Sequence, residues 1–337
     1  MEAAMKSIPR FGLVITWLSL IVHACFPVAV SQPQKVTDEN SPLVIAVNPW
    51  AGFMPVVLAK EKGFFEAEGV NVKYSFGESS RQQRLEFESG AYDGITLALG
   101  SLIAVGAKAP DTRIVMLTDI STTGDAVVAR PEIQSIRDLT GKRIVLGAAG
   151  YGEVVVSVML QQAGLTTQDV IWVPMQTEAE ALQMLKDGRV DAFQTWEPFV
   201  SRAVADGARV IFSGADVPGL IPDAIAFHGS VVENRPEDIQ AFMRGWFRAV
   251  DFWLANPKEA EQVISNAVNM TPAELSLEGM ELLTLHRNKE FFRKSEDFSS
   301  VYYSAQVYMD FFLRKGVLSK SLNLDEYVEE SFIHSLP

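Results

Sequence analysis

Four carboxylates and three large aromatic residues stand where predicted strands end and predicted helices begin. They are Asp125, Glu153, Glu197 and Asp223, with Trp50, Tyr151 and Trp196. Carboxylates that face a partly desolvated cleft repel one another, and a partner with positive charge or N–H donors offsets that cost. Aromatic rings add apolar and stacking surface. The combination predicts a binding site for a small organic molecule.

Each carboxylate also has a structural interpretation. Glu153 suits the positive end of a helix dipole, and Asp125 and Asp223 suit hydrogen bonds to backbone groups. The helix starts after Asn48 and Gly150 present backbone N–H groups that favour an anion. A zwitterion is therefore compatible with the site, and sulfonate, amine and pyrimidine-like ligands all remain open.

Motifs for other chemistries are missing from the sequence. No cysteine follows Cys25, so the chain beyond it has neither a thiolate metal site nor a cysteine nucleophile. The glycines at 147–152 are in the wrong order for a dinucleotide fingerprint. The remaining histidines are far apart and lack metal-ligand spacing. We expect a protein that is not an enzyme and needs no cofactor.

The elements that position the candidate residues occur twice, about a hundred positions apart. The first copy is a strand, a loop and a helix at 43–47, 48–53 and 54–62. The second copy repeats this order at 143–147, 148–153 and 154–163. Capping boxes at Ser79 and Thr177 then open a second helix in each copy. Ligands meet α/β sheets at the carboxyl ends of strands, so the repeat predicts two lobes whose loops face a shared cleft.

Two segments, 125–129 and 223–227, share an Asp-Ala-apolar pattern. They are interpreted as antiparallel crossover strands that carry the chain between lobes and form a hinge. The chain after His228 is helical, with Phe242, Trp246 and Trp253 at the spacing of a buried stripe. Further helices are predicted to start at Thr271-Pro272 and to run over 302–313.

The chain has 337 residues, of which 48% are hydrophobic, enough to bury a core in each of two lobes. Its 42 acidic and 29 basic residues give a net charge of −13. Nucleic acids and anionic membrane surfaces require clustered Lys and Arg, so neither is an expected partner. The predicted domains are a leader, a tether, lobe one, lobe two and a return to lobe one, at 1–31, 32–42, 43–127, 128–222 and 223–337.

The N-terminus has the positive start and apolar run of a secretory signal. Two cleavage sites compete. The first is a lipobox-like Val22-His-Ala-Cys25, which would make Cys25 a lipidated anchor, and the second is Ala29-Val-Ser31. An uncleaved anchor is a third, less favoured interpretation, because Pro27 interrupts the apolar run. All three place the protein outside the cytoplasm.

The ligand-facing loops and strand ends supply the full set of candidate binding residues. These are Asn48, Trp50, Gly52, Phe53, Ser79, Gly100, Thr123, Asp125, Tyr151, Gly152, Glu153, Trp196, Glu197 and Asp223. Trp50 and Trp196 are expected to face the cleft from opposite lobes. Gly52 is expected to let backbone N–H groups approach a ligand closely.

Several short motifs together resemble the nitrate/sulfonate/taurine-type solute-binding proteins of ABC transporters, from about residue 43 to at least 255. They are Asn48-Pro-Trp-Ala-Gly-Phe, Ala59-Lys-Glu-Lys-Gly-Phe-Phe65, Gly90-x-x-Asp93, Val128-Ala-Arg-Pro-Glu132, Asp138-Leu-x-Gly-Lys142, Gly188-x-x-Asp191-Ala and Trp246-Phe-Arg-Ala-Val-Asp-Phe252. The resemblance implies an α/β, two-lobed periplasmic binding protein type II fold, hinged by two crossover strands, with C-terminal helices on lobe one. It also implies a periplasmic protein that delivers one small molecule to a permease.

Two alternatives stay open at this point. The same superfamily includes pyrimidine-precursor synthases of thiamine biosynthesis, which are enzymes. Those synthases carry a cysteine-rich motif, whereas the only cysteine of this chain is Cys25, in the leader. The other alternative is a sensing subunit that feeds a receptor instead of a permease, which the sequence does not separate from a transport protein.

Overall fold

The structure, a computed structural model, describes residues 41–77, 79–146, 150–175 and 177–337. The predicted leader, the candidate lipidation site Cys25 and most of the tether lie outside these residues. Within them, none of the helices is both long and apolar enough to cross a membrane.

Eleven strands are described in this part of the chain. They are β1 (Leu43–Val47), β2 (Val72–Phe76), β3 (Gly94–Ala98), β4 (Thr112–Ser121), β5 (Asp125–Ala129), β6 (Arg143–Leu146), β7 (Ile171–Pro174), β8 (Ala192–Trp196), β9 (Arg209–Ser213), β10 (Pro222–His228) and β11 (Met280–Leu282). Short 3₁₀ helices add three single turns at Ala51–Phe53, Ile136–Leu139 and Gly214–Asp216.

The α-helices of the same residues separate and follow these strands. They are α1 (Pro55–Glu61), α2 (Phe64–Ala67), α3 (Ser80–Glu88), α4 (Leu99–Val105), α5 (Tyr151–Gln162), α6 (Glu178–Lys186), α7 (Phe199–Ala205), α8 (Gly229–Asn234), α9 (Pro236–Ala255), α10 (Pro257–Ala267), α11 (Leu285–Phe291), α12 (Val301–Arg314), α13 (Leu324–Tyr327) and α14 (Ser331–Ser335).

The strands form two sheets with the same plan. The first has the order β11-β4-β10-β3-β1-β2, and the second has the order β7-β6-β8-β5-β9. In each, a central strand pairs in parallel with two neighbours: β1 with β2 and β3, and β6 with β7 and β8. Next to this trio lies one antiparallel strand, β10 in the first sheet and β5 in the second. The repeat predicted from the sequence is therefore present in the strand order.

Each antiparallel strand follows a chain segment that crosses from the other sheet. Residues 122–124 join β4 of the six-stranded sheet to β5 of the five-stranded sheet, and residues 214–221 lead back from β9 to β10. The two crossing segments touch, because a Cβ built on Gly214 would lie 2.6 Å from the backbone oxygen of Ser121. β5 begins at Asp125, three residues before the position where lobe two is predicted to start.

The C-terminal helices pack on the six-stranded sheet and its helices. Phe242 of α9 stacks on Phe65 of α2 with ring centroids 5.0 Å apart, and Trp246 and Trp253 are fully buried. The aromatic stripe of α9 is thus core, as the helical spacing predicts. Tyr327 donates from its hydroxyl to the Leu102 carbonyl at 2.5 Å and ties α13 to α4.

One predicted helix is wrong. Thr271 and Glu274 do form reciprocal cap hydrogen bonds, with Thr271 N–H donating to Glu274 Oε2 at 2.9 Å and Glu274 N–H donating to Thr271 Oγ1 at 3.3 Å. Only a turn follows, because the chain bends at Gly279 (φ +87°) into β11. The helix in this region is α10, which begins at Pro257 and which the sequence analysis does not anticipate.

Candidate functional site

The carboxyl-terminal edges of the two sheets lie opposite each other. β4 ends at Ser121 and β5 begins at Asp125, so the crossing segment between them spans at most about 14 Å. The loop after β1 and the first turn of α5 lie at these same edges, because each follows the central parallel strand of its sheet. Side chains from both sheets therefore meet around the crossing.

Three buried aspartates converge at this place. Asp119 near the end of β4 is 0% exposed, Asp125 at the start of β5 is 4% exposed, and Asp223 near the start of β10 is 6% exposed. We call Asp119, Asp125 and Asp223 the aspartate cluster. Among the described residues, none of its members forms an ion pair with a lysine or arginine.

Asp119 is held by two donors and by a glycine. Trp50 Nε1 donates to Asp119 Oδ1 at 3.0 Å, and Thr118 Oγ1 donates to Asp119 Oδ2 at 2.9 Å. A Cβ built on Gly52 would lie 1.9 Å from Asp119 Oδ2. The space above Gly52, which the sequence analysis reserves for a ligand, is occupied by this carboxyl group.

Asp125 connects the crossing to the helix of the other sheet. Tyr151, the first residue of α5, donates from its hydroxyl to Asp125 Oδ1 at 2.6 Å. The Asp125 backbone N–H donates to Ser121 Oγ at 2.9 Å, which fixes the turn between β4 and β5. Trp196 lies directly across from Asp125 in the pairing of β8 with β5, and its ring centroid is 6.4 Å from that of Tyr151.

Asp223 pairs with Asp119. The two residues are register partners on β10 and β4, and their carboxyl groups share a hydrogen bond. Burial, together with the charges of Asp119 and Asp125, raises the pKa of Asp223 well above its usual range. Burial thus favours the neutral form of the Asp223 carboxyl group beside Asp119.

The other two aspartates also titrate far from their usual values. Burial raises the pKa of Asp119 to about 7, although its hydrogen bonds from Trp50 and Thr118 oppose that rise. Burial raises the pKa of Asp125 to about 6. Asp119 and Asp125 therefore titrate close to neutral pH in a nearly water-free position, where each negative charge costs desolvation free energy.

Two tyrosine hydroxyls border the cluster. Burial and the Asp125 carboxylate raise the pKa of Tyr151 well above 10, so its hydroxyl stays a donor. Tyr308 of α12 is fully buried and donates to the Leu220 carbonyl at 2.9 Å. Burial and the charges of Asp125 and Asp223 raise its pKa as well.

Three predicted ligand residues have local partners. Ser79 Oγ caps α3 by accepting from the Gln82 N–H at 3.2 Å. Glu153 Oε2 lies 3.4 Å from Nζ of Lys315, the residue that follows α12. Glu197 Oε1 accepts from the Ser201 hydroxyl at 2.9 Å, and its other oxygen accepts from the Ser201 N–H. Of the four predicted carboxylates, the structure brings together only Asp125 and Asp223.

The remaining predicted residues line the edges around the cluster. Trp50 is 7% exposed and Phe53 is 3% exposed, so both are core as well as site residues. Asn48 donates from Nδ2 to the Thr96 carbonyl at 3.0 Å. Thr123 is exposed, beside Gly279.

Two predicted glycines mark close approaches between helices and side chains at the same edge. A Cβ on Gly100 would lie 2.3 Å from the Tyr308 ring and 2.8 Å from Tyr151 Cβ. A Cβ on Gly152 would lie 2.1 Å from Gln194 Oε1. Both positions allow the first turn of α5 to sit against the six-stranded side and against β8.

Sequence reasoning missed Asp119, Gln194 and Tyr308. Asp119 had a readable signal, since it is the one charged residue in the apolar run 114–120. A carboxylate there has to be paired or functional. Gln194 and Tyr308 carried no such signal, because each lies in an ordinary strand or helix pattern and reaches the site only through tertiary packing.

No group of three or more His, Cys, Asp or Glu side chains in the described ranges has the arrangement of a metal site.

Comparison with known proteins gives a family and a fold. A family model described as NMT1/THI5 like matches residues 50–260. A protein of Bacillus subtilis (strain 168), named for binding aliphatic sulfonates, is 25% identical over 288 residues, which cover 83% of each chain. The solved periplasmic aliphatic sulphonate binding protein from Escherichia coli has a TM-score of 0.69 at 17% identity, over 86% of this chain and 93% of that chain. A solved desulfurization enzyme has a TM-score of 0.62 at 16% identity, over 86% of this chain and 97% of its own.

Proposed function

Because the chain belongs to the NMT1/THI5-like family, we propose that it is the extracytoplasmic solute-binding component of an ABC transporter. It captures a small organic molecule between its two lobes and delivers it to a permease. The resemblance to nitrate/sulfonate/taurine-type binding proteins, expected from the motifs, is confirmed, and the fold is that of periplasmic binding proteins.

The observation that carries this proposal is the convergence of polar side chains from both sheets at the crossing. Asp119 and Asp223 come from the six-stranded sheet, whereas Asp125 and Tyr151 come from the five-stranded sheet and its helix. A molecule that contacts both sets is held by both lobes, so its binding energy favours a closed arrangement. This is what a capture-and-release protein requires.

Within this proposal the ligand contacts four residues predicted from the sequence: Asp125, Tyr151, Trp196 and Asp223. It also contacts Asp119, which the sequence analysis missed. Trp50 acts through Asp119, because its indole N–H is already engaged by that carboxyl group. Ser79, Glu153 and Glu197 stay predictions. The protein works outside the cytoplasmic membrane after export by its leader, and lipidation of Cys25 would anchor it there.

The proposal is tested by native mass spectrometry of the purified protein, followed by calorimetric titration with the molecule that co-purifies. We expect one small molecule per chain, released unchanged by denaturation. A purified protein that carries no small molecule and also binds none of a panel of sulfonates, amines and pyrimidines would contradict a solute-binding role.

An enzyme is the second candidate, favoured by the fold shared with the desulfurization enzyme. In that case the released molecule would be a product, and its mass would differ from that of the compound supplied. Incubation of the protein with the bound compound, with mass analysis over time, separates the two functions.

A further inference from the structure

We propose that the captured molecule carries a protonated nitrogen, as an amine or an amidine, seated between Asp125 of one sheet and the Asp119–Asp223 pair of the other. This inference rests on the proposed solute-binding function and adds the chemical class of the ligand.

Three of the side-chain donors at the oxygens of the aspartate cluster are the Trp50 indole and the Thr118 hydroxyl at Asp119, and the Tyr151 hydroxyl at Asp125. All three are neutral. Neutral hydrogen bonds offset part of the desolvation cost of a carboxylate but leave its net charge uncompensated.

The positive charge that would offset the carboxylates of the cluster has a place between the two lobes. The ion pair at the first turn of α5, Lys315 with Glu153, uses a carboxylate outside the cluster. Asp125 follows the crossing segment and lies in the five-stranded sheet, whereas Asp119 and Asp223 lie in the six-stranded sheet. A cation between them would therefore contact both lobes at once.

Two buried amide side chains at the same edges, Asn48 and Gln194, each have one polar atom without a hydrogen-bond partner among the described residues. Asn48 is 7% exposed; its Oδ1 has no hydrogen-bond partner among the described residues, while Nδ2 donates to the Thr96 carbonyl. Thr96 lies on β3, two residues before Ala98, the register partner of Asp223. An unused acceptor beside carboxylates suits a ligand with several N–H donors.

Gln194 is the second amide, 2% exposed on β8; its Oε1 lies against Gly152, and its Nε2 has no hydrogen-bond partner within the part of the chain that the structure describes. It is two residues before Trp196, so it points to the same face of the sheet as Trp196 and Asp125. An unused donor there suits an acceptor group of the same ligand. The site thus combines one cation position with one position for a polar acceptor.

An anion alone fits this site poorly. A sulfonate placed against the cluster would add negative charge to a buried site that already carries carboxylates, whereas an ammonium or amidinium group would neutralise it. An aminosulfonate satisfies both requirements, with nitrogen at the cluster and the acceptor group at Gln194.

The experiment uses three matched pairs that differ in the basic nitrogen: 2-aminoethanesulfonate with ethanesulfonate, benzamidine with benzamide, and propylamine with propanol. Calorimetric titration and thermal shift are run on the wild type, Asp125→Asn, Asp223→Asn and the control Asp138→Asn. Asp138 is an exposed residue outside the cluster that caps the 3₁₀ turn at 136–139. Circular dichroism confirms that each variant is folded.

We expect the basic member of at least one pair to bind and its neutral or anionic partner to bind at least tenfold more weakly. Asp125→Asn should weaken that binding by about 10- to 100-fold, the scale of a hydrogen bond to a charged group, and Asp138→Asn should leave it unchanged. The mass of the molecule that co-purifies should correspond to a compound with a basic nitrogen.

Two outcomes overturn the inference while sparing the solute-binding function: tighter binding of the non-basic members, or a co-purifying molecule without a basic nitrogen. Equal binding in Asp125→Asn, Asp223→Asn and the wild type overturns it as well, as does displacement of the basic ligand by Mg²⁺ or Ca²⁺, which would make the cluster a metal site. Absence of any co-purifying molecule together with no binding by all six compounds counts against the proposed function itself.

Discussion

At the residue scale, Asp119 shows how a single side chain can be both well placed and costly. It is fully buried, and its carboxyl group fits only because residue 52 is glycine. The two hydrogen bonds it accepts do not prevent burial from raising its pKa to about 7. Asp119 has no ion-pair partner among the residues that the structure describes, and such a buried carboxylate is more consistent with ligand binding than with stability of the free protein.

The titration of the cluster predicts a pH dependence of the ligand-free protein. The pKa of an aspartate in the unfolded chain is about 3.9, whereas the pKa values of Asp119 and Asp125 in the folded protein are about 7 and about 6. The folded state therefore binds more protons between these limits, so its free energy of unfolding falls as pH rises through the window. We expect the Tm of the ligand-free protein to be higher at pH 5 than at pH 8. Asp119→Asn should flatten this slope, and a slope of opposite sign, or one unchanged in Asp119→Asn, would contradict the assignment.

A second prediction at this scale concerns Trp50. Trp50→Phe keeps an aromatic ring but removes the N–H that Asp119 accepts, which leaves one oxygen of a buried carboxylate without its donor. We expect a loss of about 1–3 kcal/mol in the free energy of unfolding at pH 8, and a smaller loss at pH 5, where Asp119 is protonated. The control is Trp172→Phe, whose indole donates to the neutral Thr167 carbonyl at 3.0 Å. Its cost, measured by urea denaturation, should not change with pH.

At the element scale, the sequence predicts those structures whose signals are local. The strand–loop–helix units, the caps at Ser79 and Thr177 and the buried stripe of α9 are all present. Predictions failed where distant pairing decides. β4 runs as far as Ser121, where it pairs with β10 and with β11, about 100 and 160 positions later in the chain. The local sequence shows that Asp119 interrupts an apolar run, but its pairing with Asp223 depends on this distant strand pairing.

The packing of α9 gives a prediction with a control on the same helix. Trp246 is fully buried and its ring centroid is 6.0 Å from that of Phe242, whereas Leu254 is 48% exposed. Trp246→Ala leaves a large cavity and should cost about 3–5 kcal/mol in the free energy of unfolding. Leu254→Ala should change it by no more than about 0.5 kcal/mol. Equal shifts of the urea midpoint in both variants would contradict a core role for the stripe.

At the scale of the whole molecule, the repeat in the sequence accounts for most of the architecture. Two copies of one unit yield two sheets of the same strand order, and each copy sends its chain across to supply the antiparallel strand of the other. This exchange places Asp125 and Asp223 next to the crossing in corresponding roles. What the sequence could not supply is the distance between the lobes, which depends on contacts between α5, α7 and the C-terminal region.

Two ion pairs join these regions across the lobes and lead to the final prediction. Glu153 of α5 lies 3.4 Å from Lys315, and Arg202 of α7 lies 3.7 Å from Glu274. Each partly exposed pair is worth at most about 1 kcal/mol to folding, but the open and closed arrangements of a hinged protein differ in free energy by only a few kcal/mol.

The double variant Arg202→Gln, Lys315→Gln should therefore leave Tm nearly unchanged and increase the radius of gyration of the ligand-free protein in small-angle scattering. Lys186→Gln, which breaks a pair with Asp206 within one lobe, should leave the radius of gyration unchanged. A saturating basic ligand should restore the compact value in the double variant, because the contacts it makes to both lobes replace the lost pairs. The same radius of gyration in all three proteins, with and without ligand, would show that the lobes do not move.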